Sequence, residues 1–330
     1  MALSECSEKY LNHAQMLSNK VKKRYKHLGR RYAKQNLEIF RLYDWDIPEI
    51  RAVVDWYAGH LVVAEYVRKN SDPGWLPVMA EAVAGALGVD MANVHLKERH
   101  SGYQDGNRYE RVANTGKKIV MSERDLKFYI NLDDYVDTGL FSDHRETRQM
   151  VREMVQGKDF LNLYCYTGSF SCYAAKGGAK TTTSVDRSDT AIQWAKENME
   201  LNNISMETNR LIKAHTSDFL EKARKKGQLF DLAVVDPPSF SSSRDSRHHF
   251  DIAEDHPELL RGVVELMRKD SGSTIFFSTN HQDFQLRMER LGWMAGSSSV
   301  KEVKEITSIT IPEDYRTPKK QIHRCWKIVV

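Results

Sequence analysis

From residue 158 onward, apolar strand-like runs alternate with helix-forming stretches, and this alternation restricts the possible folds more than any other feature of the chain. The runs DFLNLYC, TTTSVD, RLIKAH, FDLAVVD and STIFFSTN read as strands, with helices expected near 169–176, 188–202, 217–226, 255–269 and 283–291. Strands that are apolar on both faces and alternate with helices form a parallel sheet covered on both sides. The end of the chain breaks the rhythm. SSVKEVKEIT and HRCWKIVV are separated by a polar loop containing Pro312 and Pro318, without a helix, which predicts an antiparallel pair closing the sheet.

Five strand–helix units followed by a hairpin is the layout of the class I methyltransferases: an α/β, Rossmann-like fold with a seven-stranded sheet and a terminal antiparallel hairpin. A dinucleotide oxidoreductase would carry G-x-G-x-x-G after its first strand, whereas the turn here reads YCYTGSF. In such a sheet the ligand sits at the carboxyl ends of the strands. After the first strand, Gly168 in Tyr166-Thr167-Gly168-Ser169 would let backbone approach a ligand at a helix N-terminus. The second strand ends in Asp186, a carboxylate suited to both ribose hydroxyls of a nucleoside; Ser188 or Asp189 can cap the following helix in its place. The third is followed by Asp218-Phe219, an acceptor for an adenine amine beside an aromatic surface, and equally a helix cap.

The fourth strand ends in Asp236-Pro237-Pro238-Ser239, the most specific local signal. Consecutive prolines remove two backbone donors and fix φ, so carbonyls can face a pocket from a rigid turn. The stretch SSSRDSRHHFD follows, long and polar enough for a mobile substrate loop, with His248 and His249 read as surface residues. Cys6, Cys165, Cys172 and Cys325 form no C-x-x-C pair, and no His/Cys cluster has metal-ligand spacing, so no metal is expected.

The N-terminal third differs in charge. Ten Lys and Arg lie between Lys9 and Arg41 against the single acid Glu38, although the chain as a whole is only +4. Residues 1–40 therefore read as a basic helical arm. Its cations surround the helix, with Lys20, Lys22, Lys23, Arg24, Lys26, Arg30, Arg31 and Lys34 as candidate RNA contacts. Residues 41–140 hold the β-like runs IRAVVDWYA, HLVVAEYV, NVHLKER and KFYINL and one helix, PVMAEAVAGALG, and read as a small α/β domain, a scaffold or an RNA platform. Residues 141–330 complete the division as the catalytic domain. Apolar runs such as LVVA fall far short of the roughly twenty residues of a membrane helix. The start MALSECSEKY is no secretory signal, so a cytoplasmic protein is expected.

The motifs FRLYDWDIPE, VDWYAGHLVVAEY, NLDDYVDTGLFSDHRETR, GKDFLNLYCYTGS, VDRS, FDLAVVDPPSFS, FSTN and QIHRCW recur in order from about Asn19 onward. Together they resemble the C-terminal, guanine-N7 methyltransferase half of the bacterial bifunctional 23S ribosomal RNA large-subunit methyltransferase. The other, guanine-N2 half has no counterpart here, and the chain reads DPPS where that relative reads DPPT. The resemblance implies S-adenosylmethionine as cofactor and 23S ribosomal RNA, free or in an assembling large subunit, as partner. It adds Phe141, Arg145, Asn162 and Arg187 to the expected cofactor-binding set of Tyr166, Thr167, Gly168, Asp186, Asp218, Phe219 and Asp236, with Asp236, Pro237 and Pro238 as the catalytic turn. Arg145 follows Thr138-Gly139-Leu140-Phe141 and is expected near the cofactor carboxylate or the target base; the alternative is a surface arginine. Guanine N7 already presents a lone pair, so its methylation needs positioning more than proton removal. Cytosine-C5 chemistry would need a cysteine, where the fifth strand reads Phe277-Ser278-Thr279-Asn280. Exocyclic-amine methylation and a non-catalytic RNA-binding assembly factor are the competing readings.

Overall fold

A computed structural model of the protein describes residues 8–100, 111–241, 249–269, 272–287, 300–317 and 321–330. The chain begins with a long helix, α1 (Glu8–Lys34), and a four-stranded sheet of β1 (Ile39–Asp44), β2 (Ala52–Tyr57), β3 (His60–Val67) and β4 (Val94–His100) in that spatial order. The first three strands are antiparallel; α2 (Trp75–Leu87) crosses over so that β4 lies parallel to β3. A hairpin, β5 (Ile119–Glu123) and β6 (Leu126–Ile130), leads to α3 (Arg145–Met154).

The main sheet then unfolds in strand–helix order: β7 (Asp159–Leu163), α4 (Ser169–Lys176), β8 (Thr181–Asp186), α5 (Asp189–Leu201), β9 (Asn209–Lys213), α6 (Thr216–Lys225) and β10 (Leu232–Val235). A short pair, β11 (Phe240–Ser241) and β12 (Phe250–Asp251), precedes α7 (Ile252–Glu265), β13 (Thr274–Thr279), β14 (Glu302–Glu305) and β15 (Arg324–Val329). Seven strands pair in the order β14-β15-β13-β10-β7-β8-β9. The five from β13 to β9 are parallel, and β15 runs antiparallel between β13 and β14, the class I methyltransferase arrangement. All residues of β10 and β13 are buried, as strands covered on both faces require.

Several expectations need correction. The helix expected near 283–291 is not formed at 284–287, and 288–299 lie outside the described residues. The loop between β14 and β15 is not simply polar. It makes a helical turn at Thr307–Thr310 and a tighter one at Glu313–Tyr315, burying Asp314 and Tyr315. A domain boundary at 40/41 would cut β1, where Ile39 and Phe40 already pair with Tyr57 and Trp56. A boundary at 140/141 would divide one apolar cluster, since Phe128 and Ile130 of the β5–β6 hairpin pack with Cys172, Tyr173 and Met199 of the main sheet's helices.

Nor is α1 a detached arm. Leu17, Val21, Leu28 and Tyr32, spaced three to four residues apart or in multiples of that spacing, form an apolar stripe in one core with Leu76, Met79 and Val83 of α2. Asp314 ties the two regions together. Its carboxylate accepts hydrogen bonds from Tyr32 Oη (3.0 Å), Arg41 N (3.0 Å) and Arg145 Nη2 (2.7 Å), with no side-chain exposure. Among the described residues no helix is long and apolar enough to cross a membrane.

Candidate active site

The carboxyl ends of β7, β8, β9 and β10 open into a cleft of 380 Å³ lined by Tyr164, Tyr166, Asp186, Arg187, His215, Asp236 and Pro238, with His249 and Phe250 on its rim. The turn after β7 is unusual in its backbone. Tyr164 (φ 57°), Tyr166 (φ 49°) and Gly168 (φ 76°) are all left-handed, a region costly for tyrosine. Asp186 holds this turn to β8: Oδ2 accepts Tyr166 N–H at 3.0 Å, and Oδ1 accepts Ser188 N–H at 2.9 Å. Ser188 caps α5, its Oγ accepting from Ala191 N–H, so Asp186 is not consumed as a helix cap.

Gly168 is required twice over. Its φ is positive, and a Cβ built on it would lie 2.8 Å from Ala195 Cβ, so only glycine lets α4 start this close to α5. Gly139 (φ 104°) faces Trp194 in the same way, a Cβ there lying 2.3 Å from Cζ2. Its carbonyl accepts from Thr167 Oγ1 at 2.6 Å.

The expected cofactor residues thus separate into layers. Tyr166, Asp186, Arg187 and Asp236 line the cleft. Thr167 and Asn162 are buried behind it, Asn162 Nδ2 donating to Ser171 Oγ at 2.9 Å. Asp218 stands in the first turn of α6, and Phe219 belongs to the apolar core below; the cleft wall there is made by Ala214, His215, Thr216 and Ser217 instead. Arg145 is neither a surface residue nor a cleft residue. It is fully buried against Asp314, with Tyr32 and Tyr315 flanking its guanidinium at 5.2 and 5.8 Å.

A second cavity, of 290 Å³, meets the first at Asp236. Pro238 faces the first and Pro237 the second. Ser278 Oγ on β13 donates to Asp236 Oδ1 at 2.7 Å, fixing the carboxylate, and Ser239 Oγ donates to Asn280 Oδ1 at 2.7 Å, fixing the turn. Phe141 lines the second cavity and packs on Tyr166 of the first, ring centroids 5.2 Å apart. Asp143, His144 and His323 lie together in its wall, a cluster not singled out in the sequence because His323 is 180 residues from Asp143. Among the described residues it is the one group of three with ligand atoms close enough for a metal. Its geometry does not suit one. A coordinated ion lies in the plane of each imidazole, and the His144 and His323 rings are stacked 4.2 Å apart at 12°, so their planes share no point between them.

The buried thiols are unreactive: burial pushes Cys172 up to about 12, and raises Cys165 and Cys325 as well. Cys6, His248 and most of the expected substrate loop lie outside the described residues.

On α1, the eight candidate RNA contacts divide by helix position. Lys20 pairs with Asp46, Arg24 donates to the Glu313 carbonyl, and Arg31 pairs with the Glu313 carboxylate. Lys22, Lys23, Lys26, Arg30 and Lys34 are exposed, without an ion pair among the described residues. At about 100° per residue these five fall within an arc of about 120°. They form a stripe where an all-round distribution was expected.

Comparison with known proteins bears on the cleft. A model of the S-adenosylmethionine-dependent methyltransferase family matches residues 45–287. The chain is 41% identical over 321 residues to the "Ribosomal RNA large subunit methyltransferase K" of Neisseria meningitidis serogroup B, covering 94% of this chain and 86% of that protein. It is 40% identical to the "Ribosomal RNA large subunit methyltransferase K/L" of Magnetococcus marinus, and there spans only 43% of the relative. In fold it is similar to a methyltransferase complexed with SAH (TM-score 0.77, 21% identity, 99% of this chain and 83% of that one) and to a SAM-dependent methyltransferase from Streptococcus mutans (TM-score 0.75, 19% identity, 96% and 81%).

Proposed function

The chain belongs to the S-adenosylmethionine-dependent methyltransferase family, and on that premise we propose that it methylates N7 of a guanine in the 23S RNA of the large ribosomal subunit. The observation that carries the substrate class is the 41% identity, over 94% of the chain, to a relative named for that subunit's RNA. The guanine-N7 assignment rests on the motif resemblance and on the chemistry of the site. Among the described residues every thiol is buried with its pKa raised, in keeping with an acceptor that already holds its lone pair.

The cleft fits the cofactor: the Asp186 carboxylate stands in its wall at the end of β8, where a nucleoside's ribose hydroxyls would be accepted, and Tyr166 and Arg187 flank it. When bound, S-adenosylmethionine supplies an electrophilic methyl group. The protein's own part is to align and to exclude water, effects worth roughly 7–11 kcal/mol. Asp236, held by Ser278 between the two cavities, is the group placed to position the acceptor. The Lys22, Lys23, Lys26, Arg30 and Lys34 face is the proposed phosphate contact, with the first sheet as the platform beside it.

Methylation of an exocyclic amine is the second reading, favoured by one observation: His144 Nε2 lies 3.8 Å from Asp236 Oδ2, so a proton acceptor stands near the turn. Mapping modified nucleosides in ribosomal RNA from cells with and without the gene separates the two. Loss of 7-methylguanosine supports the proposal; loss of a methylated amine replaces it.

A further inference from the structure

The second cavity is walled by both parts of the molecule, by Tyr57, Lys97 and Arg99 from the first sheet's side and by Phe141, His144 and Pro237 from the other. Aromatic walls with cations at a partly exposed side suit a nucleotide drawn out of an RNA helix, which enzymes acting on bases must extract to reach. The buried side has an arrangement that calls for a ligand. His144 is 5% exposed, and its Nδ1 has no hydrogen-bond partner among the described residues. Its Nε2 stands 3.7 Å from Asp143 Oδ2 and 3.8 Å from Asp236 Oδ2, beyond hydrogen-bond reach of either. Asp143 Oδ2 accepts instead from His323 Nδ1 at 3.0 Å, and Arg148 approaches from α3. Burial, then His323, disfavour protonation of His144 more strongly than the two carboxylates favour it, so the imidazole is held uncharged. Two carboxylates facing an uncharged ring in a confined cavity leave a place for positive charge.

We propose that this cavity receives the target guanine extracted from the RNA, and that Asp143 and Asp236, either side of His144, stabilise the positive charge the base acquires on methylation. The inference rests on the guanine-N7 reading. In that transfer the N7 lone pair bonds the methyl carbon and the electrons of the broken carbon–sulfur bond stay on sulfur. No proton leaves, and the charge of the sulfonium moves onto the base. Fixed carboxylates that need no rearrangement act on that moving charge. His144 is a positioning residue: it spaces the carboxylates, and if protonated it would neutralise the field they make.

The test uses the full chain and the ribosomal RNA fragment it methylates, prepared with 2-aminopurine at the modified position, whose fluorescence rises when it leaves the stack. Addition of protein with S-adenosylhomocysteine should raise the signal. Val62→Phe, which fills the cavity from β3, should abolish the rise while cofactor affinity is retained. On unmodified fragment, Asp143→Asn should slow single-turnover transfer about 10- to 100-fold with cofactor affinity within about twofold. The wild-type rate should fall on the acid side, and His144→Gln should remove that fall. Cofactor titration of each variant reports whether it is folded, and the fluorescence of the wild type needs no variant. No rise, a rise that survives Val62→Phe, a wild-type rate for Asp143→Asn, or an unchanged acid limb in His144→Gln overturns the inference. A product other than 7-methylguanosine would instead sink the underlying reading, with the fluorescence still reporting on the cavity.

Discussion

Replacing Asp186 by Ala should weaken cofactor binding and destabilise the protein together, because one carboxylate serves both. Its side chain holds the Tyr166 and Ser188 amides at 3.0 and 2.9 Å, and the turn it secures contains two tyrosines in left-handed backbone. A hydrogen bond to a charged group contributes about 1.5–3 kcal/mol, and two sharing one carboxylate are not additive, so the loss is about 2–4 kcal/mol. For a chain of 330 residues this lowers Tm by about 3–6 °C. Loss of the ribose acceptors adds about 10- to 150-fold in Kd. Asp186→Asn keeps one oxygen acceptor and turns an amine towards the other N–H, so it should fall between Ala and wild type in both measurements. Titration calorimetry with S-adenosylmethionine and a thermal melt on the same samples decide the matter. Unchanged affinity in a folded mutant removes Asp186 from the site; lost affinity at unchanged Tm refutes its role in the turn.

Changing Lys22, Lys23, Lys26, Arg30 and Lys34 to Gln should flatten the salt dependence of RNA binding by roughly two to four log units per log unit of salt, with cofactor affinity intact; an unchanged slope leaves that face without a function. Arg145→Ala should cost about 3–5 kcal/mol, since it strips the fully buried Asp314 of its charged partner, and chemical denaturation should show it. Stability should also fall as the pH drops below about 6.5. Burial lowers the pKa of both His144 and His256, and His256 is held neutral with Nδ1 facing the Ile252 carbonyl and Nε2 accepting from Arg287 N. The unfolded chain then takes up protons that the native state refuses, at up to about 1.4 kcal/mol per pH unit for each histidine until the pH passes its native pKa. Urea midpoints between pH 7.5 and 5.5 that stay level would contradict this.

The main sheet was legible because its central strands are buried on both faces and bounded by clear turns, and the strand-end rule then led to Asp186 and Asp236. What sequence reasoning missed depends on distant partners. Arg145 stands in a promising motif, yet its environment is set by Asp314, 169 residues away. Asp143 and His144 meet His323 only because the chain returns antiparallel along β13 through β15. In α1 the apolar stripe of Leu17, Val21 and Leu28 is diluted by charge, so a core helix read as a free arm. Asp186 ends its strand at the cleft, whereas Phe219 lies within α6, where two positions past the cleft residue Ser217 the side chain turns into the core.

The central claim is best tested by incubating the protein with S-adenosylmethionine carrying a labelled methyl group and with 23S ribosomal RNA, or large-subunit particles, from cells lacking the gene. The RNA is then digested to nucleosides and the label located by mass spectrometry. Label in 7-methylguanosine, lost with Asp236→Ala, is the expected result. Label in any other nucleoside, or none in RNA under conditions where the cofactor binds, contradicts it.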